Sequence, residues 1–209
     1  MQRLLSQIGR SQRLAVLNLI KRAPEGLSVR ALAGRLDMSY MGVKQICLDL
    51  QRNGYLEIFR RNRGVGRPEL IHRLTSKAGD LFPQADNELA LSLLEQARKL
   101  YGAGAPEKIL FLHFQEKTKS YAGKLRGDTP AERAKWLGRL RDNEGYMAEC
   151  ESEPALRLIE RHHPMQSLFR ALPQAAEMER AMFQKLLGAA VRREQAGEGG
   201  AYECVFLIG

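Results

Sequence analysis

Around Gly54 the periodicity of the chain changes, and that change limits the fold more than any other feature. Before it, apolar side chains recur at three- and four-residue intervals. After it come two short runs rich in aromatic and aliphatic residues, 55–59 (YLEIF) and 70–74 (LIHRL). Between them lies RRNRGVGRP, residues 60–68, whose Gly64 and Gly66 permit a sharp reversal. A helical stretch stopped by a glycine and followed by a two-stranded hairpin is what these periods predict.

The helical part divides into three. Residues 11–23 place Leu14, Leu17 and Ile20 on one stripe, widened by Val16 and Leu19, with Ser11 as the expected cap and Pro24-Glu25-Gly26 as the stop. Ser28 is expected to cap a second, short helix with Leu32, Ala33 and Leu36 inside. Asp37-Met38-Ser39 reads as a tight turn, with Ser39 capping a third helix from about Tyr40 to Asn53 that ends at Gly54. Its inward positions are Val43, Cys47 and Leu50, with Ile46 beside them. Beyond the hairpin, Thr75 is expected to cap a short helix over 76–81 that Pro83 ends. Three helices and then a hairpin is the order of a winged helix-turn-helix.

Charge separates this first part from the rest. Residues 1–80 hold 15 Lys/Arg against 6 Asp/Glu, whereas residues 81–209 hold 18 of each, so the whole net charge of +9 lies in the first part. A basic unit on a neutral body suits contact with a polyanion, because each cation at a phosphate releases condensed counterions. In a helix-turn-helix the N-terminal turns of the third helix meet base edges. The candidate readers are therefore Ser39, Tyr40, Met41, Lys44 and Gln45; Gln45 suits adenine, and Lys44 suits guanine or a phosphate. Arg60, Arg61, Arg63 and Arg67 of the glycine-bearing turn are the candidate phosphate or minor-groove contacts. Double-stranded DNA is thus the expected partner.

The remainder predicts a helix over 85–101, with Leu89, Leu93, Leu94, Ala97, Leu100 and Tyr101 on one side. Further helices are expected at 106–121, burying Ile109, Leu110, Leu112 and Phe114, and at 130–141, around Trp136 and Leu140. Residues 146–151 and 155–161 read as a hairpin turned at Ser152-Glu153-Pro154. Helices at 164–171 and 174–187 follow, and then strands at 191–195 and 202–208, parted by a flexible Gly197-Glu198-Gly199-Gly200. The expected fold class is mainly α with an α+β C-terminal domain: a winged helix-turn-helix over 1–83, a helical linking or dimerisation region over 84–145, and a sensor-like α+β domain with a small antiparallel sheet over 146–209. A homodimer through the 85–101 helix is expected, since such proteins gain specificity by pairing half-sites. The effector is left open.

Gly66-Arg67-Pro68, His72-Arg73-Leu74-Thr75, Gly79 and Leu81-Phe82-Pro83 resemble the hairpin-and-exit signature of the Suf-type iron–sulfur-responsive repressors, within the broader ArsR- and MarR-like group. Pro164, Pro173, Glu179, Leu187-Gly188, Val191, Arg193 and Cys204 extend the resemblance over residues 10–208. It implies transcriptional repression and a cluster on C-terminal cysteines. Here, however, His163 stands before Pro164 and Ala176 before Glu177, residues 195–197 hold no Cys, and only Cys204 stands at a ligand place. A cluster needs about four thiolate-type ligands, so no cofactor is expected. The candidate donors left are Cys150, Cys204 and His163, which would meet if the strand of Cys150 lay beside that of Cys204; that arrangement would make a metal- or redox-sensing regulator. His162-His163 otherwise reads as a capping or surface pair.

Other classes find little support. The chain has no Gly-x-Ser-x-Gly, P-loop, His-Glu-x-x-His or Cys-x-x-Cys, and Glu149, Glu151 and Glu153 read as a solvated face, so no enzyme is expected. A winged helix that docks a protein without touching DNA is the alternative, although it has no need of the concentrated charge. No run of 18 apolar residues occurs, the start lacks a secretory pattern, and three scattered cysteines make no disulfide framework, so a cytoplasmic protein with no membrane contact is expected.

Overall fold

The computed structural model describes residues 2–62, 68–82, 87–197 and 199–209. They gather into two compact units: Met1–Phe82 with Gly197–Ala201, and Pro83–Ala196 with Tyr202–Gly209. The described residues mix helix and strand, with two small antiparallel sheets, one in each unit.

In the first unit, helix α1 (Gln2–Lys21) is followed by α2 (Val29–Leu36) and α3 (Tyr40–Arg52). Ser11 falls inside α1 and does not cap it, because the helix begins nine residues earlier than its apolar stripe suggested. The buried stripe is Val16, Leu17 and Ile20, while Leu14 is exposed. Ser28 and Ser39 cap as their sequence contexts predict: their hydroxyls accept from Ala31 N at 3.3 Å and Gly42 N at 3.1 Å. Asp37, in the left-handed region at φ 51°, makes the turn between α2 and α3. Gly54 at φ 77° follows α3.

Strands β1 (Leu56–Arg61) and β2 (Glu69–Leu74) pair antiparallel, with Leu56 opposite Leu74 and Arg61 opposite Glu69. Leu27 joins β2 as an isolated bridge, exchanging both backbone hydrogen bonds with His72 at 2.8 and 3.0 Å. Gly26 permits this close approach, since a Cβ there would lie 2.5 Å from the His72 carbonyl oxygen. The segment 76–81 is a 3-10 helix, and Thr75 does not cap it with its side chain. The Thr75 hydroxyl instead donates to Gly54 O at 2.7 Å, tying the end of β2 to the end of α3. Pro83 lies outside the described residues.

The second unit carries α4 (Asn87–Tyr101), α5 (Ala105–Ala122), α6 (Pro130–Asn143), β3 (Ala148–Glu151), β4 (Arg157–Glu160), α7 (Gln166–Ala171), α8 (Gln174–Leu187), β5 (Val191–Ala196) and β6 (Glu203–Ile208). Its sheet runs in the order β3-β4-β6-β5, all antiparallel. The helices of 84–145 and the elements of 146–209 share one apolar core around Leu137, Leu158, Phe183, Leu187 and Phe206. Each such side chain contributes roughly 1.5–3 kcal/mol when fully buried.

Several helices turn a different face inward from the one expected. On α4 only Leu94 and Ala97 of the six expected positions are buried, and Leu89, Leu93, Leu100 and Tyr101 are exposed. On α5 Leu110 and Phe114 are buried with Thr118 and Tyr121, whereas Ile109 and Leu112 are exposed. On α6 the inward face is Ala134, Leu137, Gly138 and Arg141, which leaves Trp136 outside. These helices have more apolar residues than one face can bury, so periodicity alone leaves the rotation of each helix undecided. Gly197–Ala201, expected as a flexible spacer, belongs to the first unit, and Gly199–Ala201 is a 3-10 turn.

Lys21 is buried in the first unit, donates from Nζ to Gly200 O at 2.8 Å and sits 5.4 Å from the centre of the Phe82 ring. Burial pulls its pKa from the ordinary 10.5 down to about 7. Above the folded value the native state has released a proton that the unfolded chain still holds. Stability should therefore climb between about pH 7 and 10.5 and be flat in this respect below 7, with a slope of at most ~1.4 kcal/mol per pH unit. The wild-type melting temperature, taken relative to that of Lys21→Met, is expected to rise across this range. A constant difference would refute the assignment.

Candidate functional site

Helix α3 has two distinct faces because its caps and turns fix its rotation. Val43, Cys47 and Leu50 are buried, and Ile46 is half-buried at their edge. Ser39, Tyr40, Met41, Lys44 and Gln45 all lie exposed on the opposite, N-terminal part, with Tyr40 at 52 % and Met41 at 67 %. Two large apolar side chains left in water at a helix start are a poor choice for solubility, but they suit contact with thymine methyl groups. The Gln45 amide donates to Asp49 Oδ1 at 3.0 Å, and Asp49 also faces Arg13 at 3.4 Å. Lys44 and Arg60 form no ion pair among the described residues.

Arg63 and Arg67, with Gly64 and Gly66, lie outside the described residues. Arg60 is exposed, whereas Arg61 is half-buried and donates from Nη2 to Glu25 O at 3.2 Å. Arg73, which was not among the expected DNA contacts, shares that carbonyl through Nε at 3.2 Å, meets Glu25 Oε2 at 2.9 Å and lies 4.5 Å from the Phe59 ring centre. Arg61 and Arg73 together tie the hairpin to the turn before α2. Arg73 shares the β2 face of Ile71, beside Phe59 of β1, and that strand alternation was the signal for it.

The candidate metal donors fare differently. Cys150 is on β3 and Cys204 on β6, with β4 between them, so the expected neighbouring of their strands does not occur. Cys150 pairs in register with Leu158, and Cys204 with Glu160. Cys204 is fully buried, and burial pushes its thiol up to about 12. Of the four places at which the resemblance puts ligands, Ala176 and Gln195 offer no donor suited to iron. The residues present do not fit an iron–sulfur cluster.

His162 and His163 are both buried, not a surface pair. His163 belongs to a polar cluster inside the second unit. Arg141, 1 % exposed, donates from Nε and Nη2 to both oxygens of Glu160 at 2.6 and 2.9 Å, and from Nη2 to Glu179 Oε1 at 2.6 Å. Its guanidinium carbon lies 3.2 Å from the Tyr146 ring centre. His163 Nε2 stands 3.4 Å from Glu179 Oε1, and Arg193 Nε 3.7 Å from Glu179 Oε2. Burial alone would raise Glu179, but Arg141 with His163 and Arg193 holds it down at about 2. Glu160, His163 and Glu179 bring their donor atoms within 4.8 Å of one another, as a metal site does. The guanidinium between the carboxylates already supplies the positive charge, however, and a divalent ion beside it would be strongly repelled. We read the group as an ion-pair network.

Of the three glutamates expected on a solvated face, Glu153 is exposed, and Glu149 and Glu151 are half-buried. Glu149 pairs with Arg161 at 2.8 Å and Glu151 with Arg157 at 2.6 Å, so both brace the β3–β4 hairpin.

Removing Arg141 would leave two buried carboxylates without their partner. Arg141→Met is expected to lower the unfolding free energy by about 3–5 kcal/mol in a urea titration. A loss below about 1 kcal/mol, the range of an exposed pair, would show that the network contributes little. Comparison of the chain with protein-family models and with curated proteins returns no match.

Proposed function

We propose that the chain is a DNA-binding transcriptional regulator whose first unit is a winged helix-turn-helix, with α3 as the recognition helix and the β1–β2 hairpin as the wing. The observation that carries this reading is the solvent face of α3. Its N-terminal turns expose Tyr40, Met41, Lys44 and Gln45 together while its back is locked into the core. A helix held so firmly by one face presents the other without reorganisation, which is what entry into a major groove requires. The concentration of the entire +9 charge in residues 1–80 supports the same reading. The order of three helices and a hairpin supports it as well, and repression rests on the family resemblance alone.

The test is a gel shift with bulk duplex DNA, followed by selection from a random duplex pool. Binding is expected to weaken on the order of a hundredfold between 50 and 200 mM salt if about four phosphates are contacted. Gln45→Ala should relax preference at one base position by about 1–3 kcal/mol, while Arg60→Ala with Arg63→Ala and Arg67→Ala should weaken binding to every sequence. Salt-insensitive binding, or an unchanged triple arginine variant, would overturn the DNA reading in favour of a protein-docking hairpin.

We further propose a homodimer through α4. Leu89, Leu93 and Leu100 are spaced so that they share one helix face, and they are 63, 61 and 72 % exposed. Leu94 is buried farther round the helix, and Ala97 is buried at the edge of the stripe. An apolar stripe of this kind is costly in water and suits a two-fold contact. Sedimentation at micromolar concentration is expected to give a dimer for the wild type and a monomer for Leu93→Glu with Leu100→Glu. A wild-type monomer would remove this part of the proposal.

A further inference from the structure

The second unit contains a cavity of about 300 Å³ beside the buried ion-pair network. Its polar lining is His163, Gln166, Arg170, Arg193, Gln195 and Tyr202; Phe169 and the start of α8, at Pro173 and Ala176, supply the apolar wall. No carboxylate lines it among the described residues. Glu179 lies behind the lining; its Oε1 is held by Arg141 at 2.6 Å, and its Oε2 stands 3.7 Å from Arg193 Nε, beyond hydrogen-bond distance.

Two of the lining groups have unmet bonding capacity. The His163 side chain is 1 % exposed, and neither ring nitrogen completes a hydrogen bond within the protein. Its ring is nevertheless fixed, tilted against Phe169 at 4.2 Å and edge-on to Tyr146 at 5.1 Å between centroids. Arg193 donates from Nη2 to Gln195 Oε1 at 2.9 Å and reaches Tyr202 Oη only at 3.5 Å, while its buried Nε finds no partner at hydrogen-bond distance. Buried polar atoms are nearly always bonded, so an oriented imidazole and guanidinium with spare donors at one cavity mark a place where a polar guest completes them.

The chemistry of the lining selects that guest. Two guanidinium groups, an imidazole, a phenol and two amides, with no acid among them, disfavour a cation and suit an oxyanion, to which a guanidinium donates paired hydrogen bonds. The volume lies at the lower end of small-molecule sites and admits a ligand of few heavy atoms. We propose that this cavity binds a small oxyanion, a carboxylate or phosphate, between Arg193, His163 and Tyr202. The site does not depend on the regulator reading. Its occupancy is measured without DNA, so either can fail without the other.

The test is isothermal titration of the full chain, at constant ionic strength, with sodium phosphate and separately with sodium propionate. One of the two is expected to bind saturably with one site per chain and a millimolar or tighter Kd. Phosphate binding identifies a phosphate-type guest, and propionate binding a carboxylate with an apolar tail against Phe169. Tyr202→Phe, which keeps the ring and removes only the hydroxyl, is expected to weaken binding about tenfold, the equivalent of ~1.4 kcal/mol. Arg193→Met is expected to abolish it. If Arg193→Met fails to fold by circular dichroism, Tyr202→Phe decides. Lack of saturable binding to both anions would overturn the proposal. Binding unchanged in the variants would overturn it too, because the anions would then be adsorbing to the basic first unit.

Discussion

Arg141 is a cation with almost no access to water, and a bare charge in that position would not survive folding. Its guanidinium is shared between Glu160 at the end of β4 and Glu179 on α8, with the Tyr146 ring beneath it. Three elements distant in sequence are therefore held in one relation by bonds that admit little tolerance of angle. An apolar contact would let α6 slide or rotate against the sheet, whereas paired hydrogen bonds to a carboxylate do not. This explains why α6 puts Ala134, Leu137 and Gly138 inward and leaves Trp136 outside: the arginine sets the rotation and the apolar residues follow.

The same constraint shapes what lies next to it. Glu179 Oε1 is committed to Arg141, and the neighbouring His163 and Arg193 stand 3.4 and 3.7 Å from the same carboxylate without completing hydrogen bonds to it. They are ordered by aromatic packing and by Gln195, and they border a cavity with no acid of its own. The lining is thus unlike an iron–sulfur site in the one respect that matters, its donor set.

In the first unit the governing division lies between the two faces of α3. Ser39 starts the helix and Gly54 follows its end, the Thr75 hydroxyl ties that end to β2, and Leu27 bridges β2 from the other side. The exposed face is then free to differ chemically from the core, and it carries a tyrosine, a methionine, a lysine and a glutamine in adjacent turns. Arg73 is paired with the Glu25 carboxylate, while Arg61 donates to the Glu25 carbonyl and Arg60 makes no ion pair among the described residues. The basic composition of this part therefore overstates the number of cations at hand for a polyanion.

Much of this architecture was legible in the chain itself. The caps at Ser28 and Ser39, the outward set on α3, the two hairpins and the order of α7, α8, β5 and β6 follow from local rules, since a cap or a turn involves residues only a few positions apart. The rotation of α4, α5 and α6 did not follow, because each bears apolar residues on more than one face and only a packed neighbour chooses between them. The burial of His162 and His163 and the separation of Cys150 from Cys204 were hidden for a related reason: strand order is a long-range property, and β4 enters between β3 and β6 with no local mark in either. Sequence alone determined where most elements lie, though not the start of α1, and where the charge lies. Only tertiary structure decided which polar groups share the dry interior, because the cost of burying a charge is met by partners 19 and 38 residues away, brought together solely by the fold.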